Sequence, residues 1–552
     1  MDGRATCSMR FDLQIRLFCY NFGEDYYNML SDDMGKAIIY PVGEQSFEAL
    51  RNRGALYVDK TEYVEKLLGR GGKYFFLGRP RRFGKSLFLS MMHCFFEGRR
   101  EFFKGLYADT MEWDWEPHPV LYLDLNTESY ATDESLSQVL EYNIGRWEDE
   151  YDSHIDSGSY SLRFREVMRK AYEKTGKQVI ILVDEYDKPL VNNLHDSGRF
   201  VRMREQLTAV YSNFKSSAQY IRMVFLTGVS RFAHLSVFSG LNNIMDISFH
   251  PDFAAICGIT EQELGYYFQD GMEMMAGIEG VTAEEIHEEL KRRYDGYHFS
   301  RRCPDIYNPY SLLNVMDRKE FGNYWIGSGG MTILEHQLKR FDTDLESLFE
   351  ARCDQGMLEG LDFDSPNPVA LLYQTGYLTI KSYDDGIFTL GLPNGEVKEG
   401  FLNFLLPRYA NVGNGSTAFF IREFVRELKN GDVEGFMRRL QSMFSSVSYR
   451  MEMDSEKNLH NALLMLMILL GMHVETEYCT SEGRIDLFLR TARYFYIIEL
   501  KLDHTPEEAL RQIEERHYAL PFAADGRETV CIGVNFSTDT RTITGWAVAR
   551  GH

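Results

Sequence analysis

The sequence predicts an α/β protein of several domains: a parallel sheet in the N-terminal half, a helical middle region and a smaller α/β domain at the C-terminus. Two observations predict the parallel sheet. An apolar run leads through a basic loop into a helix near residue 85, and another apolar run ends in two acids near residue 185. Buried parallel strands are continuous apolar runs because helices cover both faces of their sheet. After residue 474, several runs with the apolar pattern of β-strands contain acidic residues and a lysine, and these runs predict the C-terminal domain.

Length, charge and cysteine usage limit the class of protein. At 552 residues the chain is too long for one hydrophobic core, so we expect about two to four domains. The net charge of −22 argues against a protein that coats nucleic acid through overall basicity, although local arginine clusters are present. The 8 cysteines are scattered without a CxxC pair, so the sequence indicates neither a zinc site nor a disulfide framework.

The sequence carries no pattern typical of a membrane span or a secretion signal. The longest apolar run, Leu463 to Met472, is too short to cross a bilayer, and the N-terminus lacks a basic stretch followed by an apolar one. Residues 1 to 36 show little pattern and are predicted to form an N-terminal extension. We therefore expect a cytoplasmic protein that makes no membrane contact.

The first chemically informative stretch joins a strand to a helix. Tyr74 to Leu77 is an apolar run typical of a buried strand, and the apolar residues from Leu87 to Phe96 suit a helix. Strand, loop, Gly-Lys-Ser and helix in this order are typical of a loop that binds the phosphates of a nucleotide. The residues predicted to bind these phosphates are Gly78, Arg79, Pro80, Arg81, Arg82, Phe83, Gly84, Lys85 and Ser86.

The residue types of this loop suit that chemistry. Backbone N–H groups at the start of a helix attract phosphate oxygens. The Lys85 ammonium would contact the β- and γ-phosphates, and the Ser86 hydroxyl would bind Mg²⁺. The loop departs from the usual G-x-x-x-x-G-K-[S/T] pattern, because Arg79 occupies the place of the first glycine and Gly78 stands one residue earlier. A basic turn between a strand and a helix is the alternative interpretation.

Acids follow a second buried strand later in the chain. The aliphatic run Val179 to Val183 ends in Asp184 and Glu185, and the strand candidate Val120 to Leu125 has Asp124 at its polar end. Open α/β sheets bind ligands at the C-terminal ends of their strands. Asp184 is predicted to hold Mg²⁺ through water, and Glu185 to polarise the attacking water. An ordinary strand that ends in a polar loop is the alternative.

One more apolar strand ends in polar residues. The run Ile221 to Leu226 is followed by Thr227, and Arg231 comes shortly after it. Thr227 at the end of this strand is predicted to sense the γ-phosphate, and Arg231 to neutralise its charge. A turn with a surface arginine is the alternative, and the sequence leaves the choice open.

The middle of the chain is predicted to be mainly helical between residues 250 and 330. Thr260 and Thr282 each begin a capping box, in which a threonine and a glutamate three residues later satisfy the first backbone groups of a helix. Tyr307 to Tyr310 is a predicted helix entry. Residues 345 to 410 indicate a small α/β unit with a hairpin, and residues 415 to 450 a helical segment.

A second group of charged residues lies near the C-terminus. After a helix from Ser455 to Leu470 we predict three strands, the second carrying Asp486 and the third carrying Glu499 and Lys501. Glu499 and Lys501 share one face because side chains alternate along a strand. Asp486 and Glu499 would bind Mg²⁺ or Mn²⁺, and Lys501 would stabilise the charge that develops during phosphodiester cleavage. Glu456 is a further candidate carboxylate. A solvated strand edge with a surface salt bridge is the alternative.

Both halves of the chain resemble one family, the bacterial AAA-ATPase-like proteins that carry a C-terminal PD-(D/E)XK nuclease superfamily domain. The resemblance covers roughly residues 38 to 525. The motifs that carry it are Tyr57-Val58-Asp59-Lys60-Thr61, Arg79-Pro80-Arg81-Arg82-Phe83-Gly84-Lys85-Ser86, Val183-Asp184-Glu185-Tyr186-Asp187, Tyr294-Asp295-Gly296-Tyr297, and Gly483-Arg484-Ile485-Asp486 with Glu499-Leu500-Lys501. The RPRRFGKS string is specific to that family and accounts for the departure from the usual phosphate loop.

The resemblance implies a P-loop NTPase domain followed by a restriction-endonuclease-like domain. It implies the cofactors ATP and Mg²⁺ at one set of residues and metal-assisted phosphodiester chemistry at another. The nucleotide set is Lys85, Ser86, Asp184 and Glu185; the nuclease set is Asp486, Glu499 and Lys501, accompanied by the helix residue Gln512.

We divide the chain accordingly into five parts. They are an N-terminal extension (1–36), an AAA-ATPase-like P-loop domain (37–255), a helical lid-like region (256–335), a small α/β and helical linker domain (336–450) and a PD-(D/E)XK nuclease-like domain (451–552).

The predicted function is an ATPase coupled to a Mg²⁺-dependent nuclease-like domain that acts on DNA or RNA. A regulatory switch is the main alternative: ATP would control assembly, and the C-terminal domain would bind nucleic acid or protein without cleavage. The acidic balance of the chain favours this alternative slightly. A loop that binds nucleotide without hydrolysing it is a third interpretation. The sequence leaves a homo-oligomer and the strandedness of the nucleic acid open.

Overall fold

The computed structural model describes residues 38–194, 196–231, 244–327, 350–359, 367–409, 417–444, 455–471, 475–481, 484–518, 526–540 and 542–551. The predicted N-terminal extension lies outside these ranges. Within them, no helix combines the length and the apolar character needed to cross a membrane.

Five parallel strands form the sheet of the N-terminal half, in the order β2-β3-β4-β1-β5. They are β1 (Tyr74–Gly78), β2 (Val120–Asp124), β3 (Val179–Asp184), β4 (Ile221–Gly228) and β5 (Met245–Asp246). The register pairs Asp124 with Asp184 and Leu77 with Thr227. The polar strand ends therefore meet at one edge of the sheet. The predicted α/β class with a parallel sheet is confirmed.

Helices cover both faces of this sheet. They are α1 (Phe47–Asn52), α2 (Glu62–Leu68), α3 (Lys85–Phe96), α4 (Ser135–Tyr151), α5 (Tyr160–Thr175), α6 (Lys188–Val191), α7 (Ser197–Tyr211) and α8 (Asn213–Ser216). Along β1, Phe75 and Leu77 join one hydrophobic cluster with α3, whereas Tyr74 and Phe76 join another with α4 and α5. Because successive side chains point to opposite faces, one apolar strand stabilises two layers of helices.

The middle region is helical, as predicted. It contains α9 (Glu261–Tyr267), α10 (Gln269–Glu279), α11 (Ala283–Tyr294), α12 (Pro309–Arg318) and α13 (Tyr324–Gly327), with a short antiparallel pair of β6 (Ile259–Thr260) and β7 (Ile306–Tyr307). Both predicted capping boxes are confirmed, at Thr260 and at Thr282. Asn308 caps α12, which confirms the predicted helix entry.

A small α/β unit and further helices follow. Its antiparallel sheet has the order β8-β10-β9, formed by β8 (Arg352–Cys353), β9 (Thr379–Asp384) and β10 (Ile387–Gly391). The helices are α14 (Gln355–Glu359), α15 (Pro368–Thr375), α16 (Gly395–Tyr409), α17 (Thr417–Asn430) and α18 (Val433–Phe444). The pairing of β9 with β10 confirms the predicted hairpin.

The C-terminal domain is a five-stranded mixed sheet in the order β11-β12-β13-β14-β15. Its elements are α19 (Ser455–Leu470), β11 (Glu475–Ser481), β12 (Arg484–Arg490), β13 (Tyr494–Leu502), α20 (Pro506–Glu515), β14 (Glu528–Ser537) and β15 (Thr542–Gly551). Only β13 and β14 run parallel to each other, and α20 is the crossover between them.

Three local predictions differ from the structure. Residues 38 to 43 have an apolar pattern typical of a strand but form none, because Pro41 lacks an N–H group and Gly43 turns the chain with φ +75°. The pattern of residues 243 to 249 likewise predicts a strand, of which the structure shows β5, since the Asp246 carboxylate accepts the Ser248 N–H at 2.9 Å and turns the backbone. Strands β14 and β15 were not predicted, because glycines such as Gly533 interrupt their apolar pattern.

Candidate functional site

The loop between β1 and α3 contains two residues with a left-handed backbone, Arg82 at φ +64° and Gly84 at φ +95°. This conformation is disfavoured for an arginine by about 1–2 kcal/mol and tends to occur at ligand sites. Gly84 is the N-cap of α3, which begins at Lys85. The unsatisfied N–H groups of the first helical turn therefore lie next to the loop, where an anion can accept them.

Lys85 is folded against its own loop. Its ammonium donates to the backbone carbonyls of Arg79 and Pro80, at 3.1 Å each, and the residue is only 4% exposed. A buried ammonium needs such acceptors. The contacts hold the charge at the mouth of the loop, where a phosphate oxygen would compete with two carbonyls for it.

Arg79 supports the loop from behind. The buried guanidinium donates to the carbonyls of Ser248 at 2.9 Å and Phe253 at 3.0 Å, and it stacks on Phe299 at 4.2 Å. Burial lowers its pKa from the usual range. This explains the departure from the usual glycine: the side chain ties the loop to the segment after β5.

The outer side of the loop packs on α13 of the helical region and on the small α/β unit. The Trp325 indole donates to the Arg81 carbonyl at 3.0 Å. A Cβ atom on Gly376 would lie 2.7 Å from the Cβ of Pro80, so only glycine allows this approach. Gly78 donates its N–H to Ser248 at 2.7 Å. The phosphate loop is thus held on the side opposite its open face.

Three acids lie at the sheet edge near the loop. Asp184 is 2% exposed, and its Oδ1 accepts the Thr227 hydroxyl at 2.5 Å. Glu185 has a left-handed backbone at φ +50° and lies 3.6 Å from the Lys188 ammonium. Burial, together with the charge of Asp184, raises the pKa of Asp124. The carboxylates repel one another, so a divalent cation at this edge would relieve them.

Asp187 is the last residue of the Val183-to-Asp187 motif. It is buried and holds the loop after β4. Its carboxylate accepts the Ser230 N–H at 2.6 Å and the Ser230 hydroxyl. Burial raises its pKa. A Cβ on Gly228 would lie 2.7 Å from Asp187 Oδ1 and 2.7 Å from the Tyr186 ring, so this close approach requires glycine.

Arg231 lies apart from the cavity. The buried guanidinium pairs with Asp246 and stacks on the Phe249 ring at 4.0 Å, while its backbone N–H donates to Gln374 at 2.8 Å. It is not among the described residues that line the cavity. Thr227, paired with Asp184, also lies outside the lining. The γ-phosphate roles predicted for both residues stay predictions.

A cavity of about 320 Å³ opens in front of the loop, a volume in the range that small ligands occupy. The loop and its charged or polar neighbours contribute Arg81, Arg82, Phe83, Gly84, Lys85, Ser86, Asn126, Glu185 and Lys188 to its lining. Apolar and aromatic residues of the lining include Leu50, Tyr57, Val58, Ile259, Pro309, Tyr310 and Leu313. A lining that offers charged groups for phosphates and apolar surface for a base fits a nucleotide.

Four of the lining residues named above come from the helical region, which also contacts the loop: Ile259, Pro309, Tyr310 and Leu313. Tyr310, in the first turn of α12, carries the Arg82 guanidinium over its ring at 4.6 Å. The helical region also contacts the Tyr57-to-Thr61 motif, because the Lys60 ammonium donates to Glu263 of α9 at 2.5 Å and to the nearby Ala255 carbonyl at 2.9 Å.

Sequence reasoning missed Asn126, Lys188 and Tyr310 as cavity residues, although each follows a predicted strand end or helix entry.

The residues of this edge fit Mg²⁺. Ser86 lines the cavity with a hydroxyl oxygen, and Asp184 offers a carboxylate at the C-terminal end of β3, next to Glu185 of the lining. Oxygen donors of this kind suit the ion, which keeps several waters and bridges phosphate oxygens. Ser86 and Asp184 remain the predicted metal ligands.

The C-terminal acids are placed by strand pairing. Asp486 of β12 lies opposite Glu499 of β13 in the antiparallel ladder. Glu499 is 1% exposed, and its Oε1 accepts the amide of Gln512 from α20. Lys501 lies two residues along the same face and is half-buried. The backbone therefore brings the predicted acids side by side; the side chains of Asp486 and Glu456 lie outside the described part of the chain.

Gly533 allows α20 to lie directly on the sheet beside Glu499. The two residues are partners in the parallel pair of β13 and β14. A Cβ on Gly533 would lie 2.2 Å from the Pro506 carbonyl oxygen and 2.5 Å from the Leu510 nitrogen. Helix α20 therefore packs against the backbone of Gly533, and this contact brings Gln512 to the carboxylate of Glu499.

Fold and loop together define a class of protein: a P-loop α/β protein with a second, mixed-sheet domain at its C-terminus. The sequence pattern of the family described as predicted AAA-ATPase matches residues 41–238, and that of the PD-(D/E)XK nuclease superfamily matches residues 454–546. The chain is also 31% identical over 529 residues to the uncharacterized protein in the vnfD 5′ region of Azotobacter chroococcum mcd 1, covering 92% of this chain and 98% of that protein. The chain belongs to the family of predicted AAA-ATPases that carry a PD-(D/E)XK nuclease superfamily domain at the C-terminus.

Proposed function

We propose that the N-terminal half binds and hydrolyses ATP with Mg²⁺, and that nucleotide state controls a metal-dependent nuclease-like domain acting on DNA or RNA. One observation carries the proposal: the cavity of about 320 Å³ is lined both by the Gly84-Lys85-Ser86 loop with Glu185 and by apolar side chains. A nucleotide needs both kinds of surface.

The residues of the cavity have distinct roles in this proposal. The first-turn N–H groups of α3 and the Lys85 ammonium bind the phosphates, and Ser86 and Asp184 hold Mg²⁺. Glu185 orients and polarises the attacking water. Tyr57, Val58 and Leu313, which are apolar or aromatic residues of the lining, enclose the base.

The C-terminal domain is proposed to act on a phosphodiester. Asp486 and Glu499 hold a divalent cation, which supplies an activated water and stabilises the phosphate. Lys501 lies on the same face as Glu499 and neutralises the developing charge. Gln512 orients Glu499 by donating to its Oε1. The strand pairing of Asp486 with Glu499 supports this assignment.

The nucleotide half of the proposal is tested with Lys85→Ala. Loss of a charge-assisted hydrogen bond is worth about 1.5–3 kcal/mol, so the Kd for ATP measured by calorimetry should rise about 10- to 100-fold. Lys66→Ala is the matched control, because Lys66 is a half-exposed lysine of α2 paired with Glu62 at 3.0 Å. Equal affinity of the Lys85 variant and the parent would overturn the assignment of the loop.

One observation favours the alternative of a switch that binds without cutting. Glu499 is 1% exposed and already accepts the Gln512 amide, so one of its ligand oxygens is used within the protein. The two proposals differ in a nicking assay on supercoiled DNA and on RNA with Mn²⁺. If the parent cleaves and the Lys501→Ala variant does not, the result supports the nuclease. If the parent binds nucleic acid but does not cleave it, and Lys501→Ala leaves this binding unchanged, the result supports the switch.

A further inference from the structure

Lys188 is a second ammonium in the lining of the cavity in front of the phosphate loop. It begins α6, directly after the Val183-to-Asp187 motif, and it lines the cavity together with Lys85. The two lysines differ in their surroundings. Lys85 is 4% exposed and donates to loop carbonyls, whereas the side chain of Lys188 is 22% exposed. Lys188 can therefore change its partners at a smaller cost than Lys85 can.

Two other cavity residues hold the Lys188 ammonium. It donates to Asn126 Oδ1 at 2.6 Å and lies 3.6 Å from Glu185 Oε2, and both partners line the cavity as well. The second distance is that of an ion pair without a hydrogen bond, so the contact with Glu185 is the weaker one. An ammonium has three N–H groups. It can therefore keep Asn126 and still donate to a bound anion.

The position of Asn126 is fixed at the end of β2. Its N–H donates to Asp124 Oδ1 at 2.8 Å, in the short turn that follows this strand. Just after α6, the side-chain amide of Asn193 donates to the carbonyl of Tyr130 at 3.0 Å. This hydrogen bond ties α6 to the segment after β2. Lys188 and Asn126 are therefore held at a fixed relative position by the backbone on both sides.

Lys188 is also a counterion for the acidic edge of the sheet. Burial raises the pKa of Asp124, and the charges of Asp184 and Glu185 raise it further. The charge of Lys188 lowers the pKa of the same carboxyl. The ammonium thus offsets part of the repulsion among three carboxylates. A divalent cation at this edge would offset the same repulsion, so the carboxylates would then compete less for the ammonium.

Glu185 places the ammonium close to the reacting phosphate. In the proposed function this carboxylate polarises the water that attacks the γ-phosphorus, so one water molecule separates the carboxylate from the phosphate. Glu185 is fixed by its backbone, because its N–H donates to the Thr227 hydroxyl at 3.3 Å. Lys188 has a flexible four-carbon stem, and rotation about its bonds can carry the ammonium from Glu185 to a γ-phosphate oxygen.

We propose that Lys188 binds the γ-phosphate of ATP and makes the cavity select ATP over ADP, an inference that rests on the proposed function. When ATP binds, the ammonium exchanges Glu185 for a γ-phosphate oxygen and keeps Asn126 as its other partner. The Glu185 carboxylate is then left to orient the attacking water. ADP has no γ-phosphate, so the ammonium stays beside Glu185. The same charge stabilises the γ-phosphate oxygens as negative charge develops on them.

The bond changes are those of hydrolysis. The water oxygen forms a bond to the γ-phosphorus, and the bond from this phosphorus to the oxygen that bridges to the β-phosphate breaks. The bridging oxygen keeps the electron pair and leaves as part of ADP. Glu185 takes a proton from the water and releases it to solvent with the products. Lys188 stays protonated throughout.

Nucleotide binding to the full-length chain tests the selection. Calorimetry with Mg²⁺ compares ADP with the β,γ-imido analogue of ATP, which is not hydrolysed. Lys188→Ala should raise the Kd for the analogue at least about tenfold and change the Kd for ADP less than about twofold, because one charge-assisted contact to the γ-phosphate is lost. Lys85→Ala should raise both values, since that ammonium contacts the β- and γ-phosphates.

Further variants separate the γ-phosphate contact from effects on the fold. Lys188→Arg keeps the positive charge and should retain the preference for the analogue. Lys188→Met keeps the stem without the charge, and it takes the place of Lys188→Ala if the alanine variant unfolds. Lys170→Ala is the matched control, because Lys170 of α5 lies 3.8 Å from Glu173 at the same three-residue spacing. It should leave both Kd values unchanged.

The possible outcomes are distinguishable. If Lys188→Ala or Lys188→Met keeps the parent's preference for the analogue, the proposal is overturned and the proposed function stands. Equal weakening of the analogue and ADP also overturns it, since the lysine would then only neutralise the edge of the sheet. A parent chain that binds ADP as tightly as the analogue has the same consequence. A parent chain that binds neither nucleotide overturns this proposal and the proposed function together.

Discussion

The carboxylate of Asp187 accepts the backbone N–H of Ser230 at 2.6 Å, which ties the end of β3 to the loop that follows β4. The tie is possible because Gly228 lies between them with no side chain. Asp184, three residues before Asp187, accepts the Thr227 hydroxyl in the same way. The two acids together fix the strand end from which Glu185 reaches the cavity.

Gly228→Ala should loosen this edge. The new Cβ would lie 2.7 Å from both Asp187 Oδ1 and the Tyr186 ring, and overpacking of this kind costs about 1–3 kcal/mol. Hydrogen exchange of the amides around Ser230 should therefore become faster. Gly145→Ala in α4 is the control, since it meets no atom within 4 Å and should be neutral or slightly stabilising. Unchanged protection in the Gly228 variant would contradict the packing described.

Glu185→Gln should separate binding from hydrolysis. The amide keeps the size of the side chain but cannot accept a proton, so ATP turnover should fall about 10²- to 10⁴-fold while ATP affinity stays near that of the parent. Phosphate release and calorimetry measure the two quantities. Glu62→Gln, an exposed acid of α2, should leave both unchanged. Normal turnover in the Glu185 variant would exclude this residue as the base.

Glu396 should make stability depend on pH. Burial raises its pKa from 4.5 to about 7, while its oxygens accept the Trp325 N–H and the Ser311 hydroxyl at 2.6 Å each. The folded state binds this proton more tightly than the unfolded state, so the stability contribution is present below pH 4.5 and is lost as pH rises to 7. The loss amounts to at most about 3 kcal/mol.

Glu396→Gln should remove that dependence, because an amide does not ionise: its oxygen can accept the Trp325 N–H, and its NH2 group can donate to the Ser311 hydroxyl. In thermal unfolding at pH 5, 6, 7 and 8, the Tm of the variant relative to that of the parent should increase as the pH rises. Glu434→Gln, with a side chain 57% exposed, should follow the parent at every pH. Parallel curves for the Glu396 variant and the parent would mean that this carboxyl is ionised throughout.

Gly533→Ala should displace α20 from the C-terminal sheet. The added Cβ would lie 2.2 Å from the Pro506 carbonyl oxygen, so Gln512 should lose its contact with Glu499 and the affinity for Mn²⁺ measured by calorimetry should fall. Gly545→Ala meets the Pro506 ring at 3.3 Å and should have a smaller effect. Equal effects of the two variants would argue against this helix position as the cause.

The sequence was sufficient to predict the parallel sheet, the loop that joins β1 to α3 and the strands β11, β12 and β13, because each is a local pattern of apolar runs and polar ends. Both capping boxes were predicted for the same reason, since each is defined by residues three positions apart. The side-chain contacts of Arg79 and Arg231 were not predictable, since no sequence pattern links them to Ser248 and Asp246, which lie 169 and 15 residues further along the chain. Nothing in a single sequence distinguishes an arginine that binds phosphate from one that binds carbonyl oxygens.

Strands β14 and β15 escaped prediction for a related reason. Their glycines, Gly533 and Gly545, interrupt the alternation on which strand prediction depends, yet those glycines are where Pro506 and α20 rest. The position of Gln512 over Glu499 follows from this packing and not from sequence spacing. The predicted domain boundaries stay predictions.

The hydrogen bond from the Trp325 indole to the Arg81 carbonyl, together with Pro80 against Gly376, has a practical consequence for work on fragments. A fragment ending at residue 238, where the match to predicted AAA-ATPases stops, would leave the back of its phosphate loop uncovered. Such a fragment should bind nucleotide poorly even with every cavity residue of the loop intact. A fragment that keeps these contacts must extend past Gly376, and we expect substitutions at Pro80 and Gly376 to occur together in related sequences.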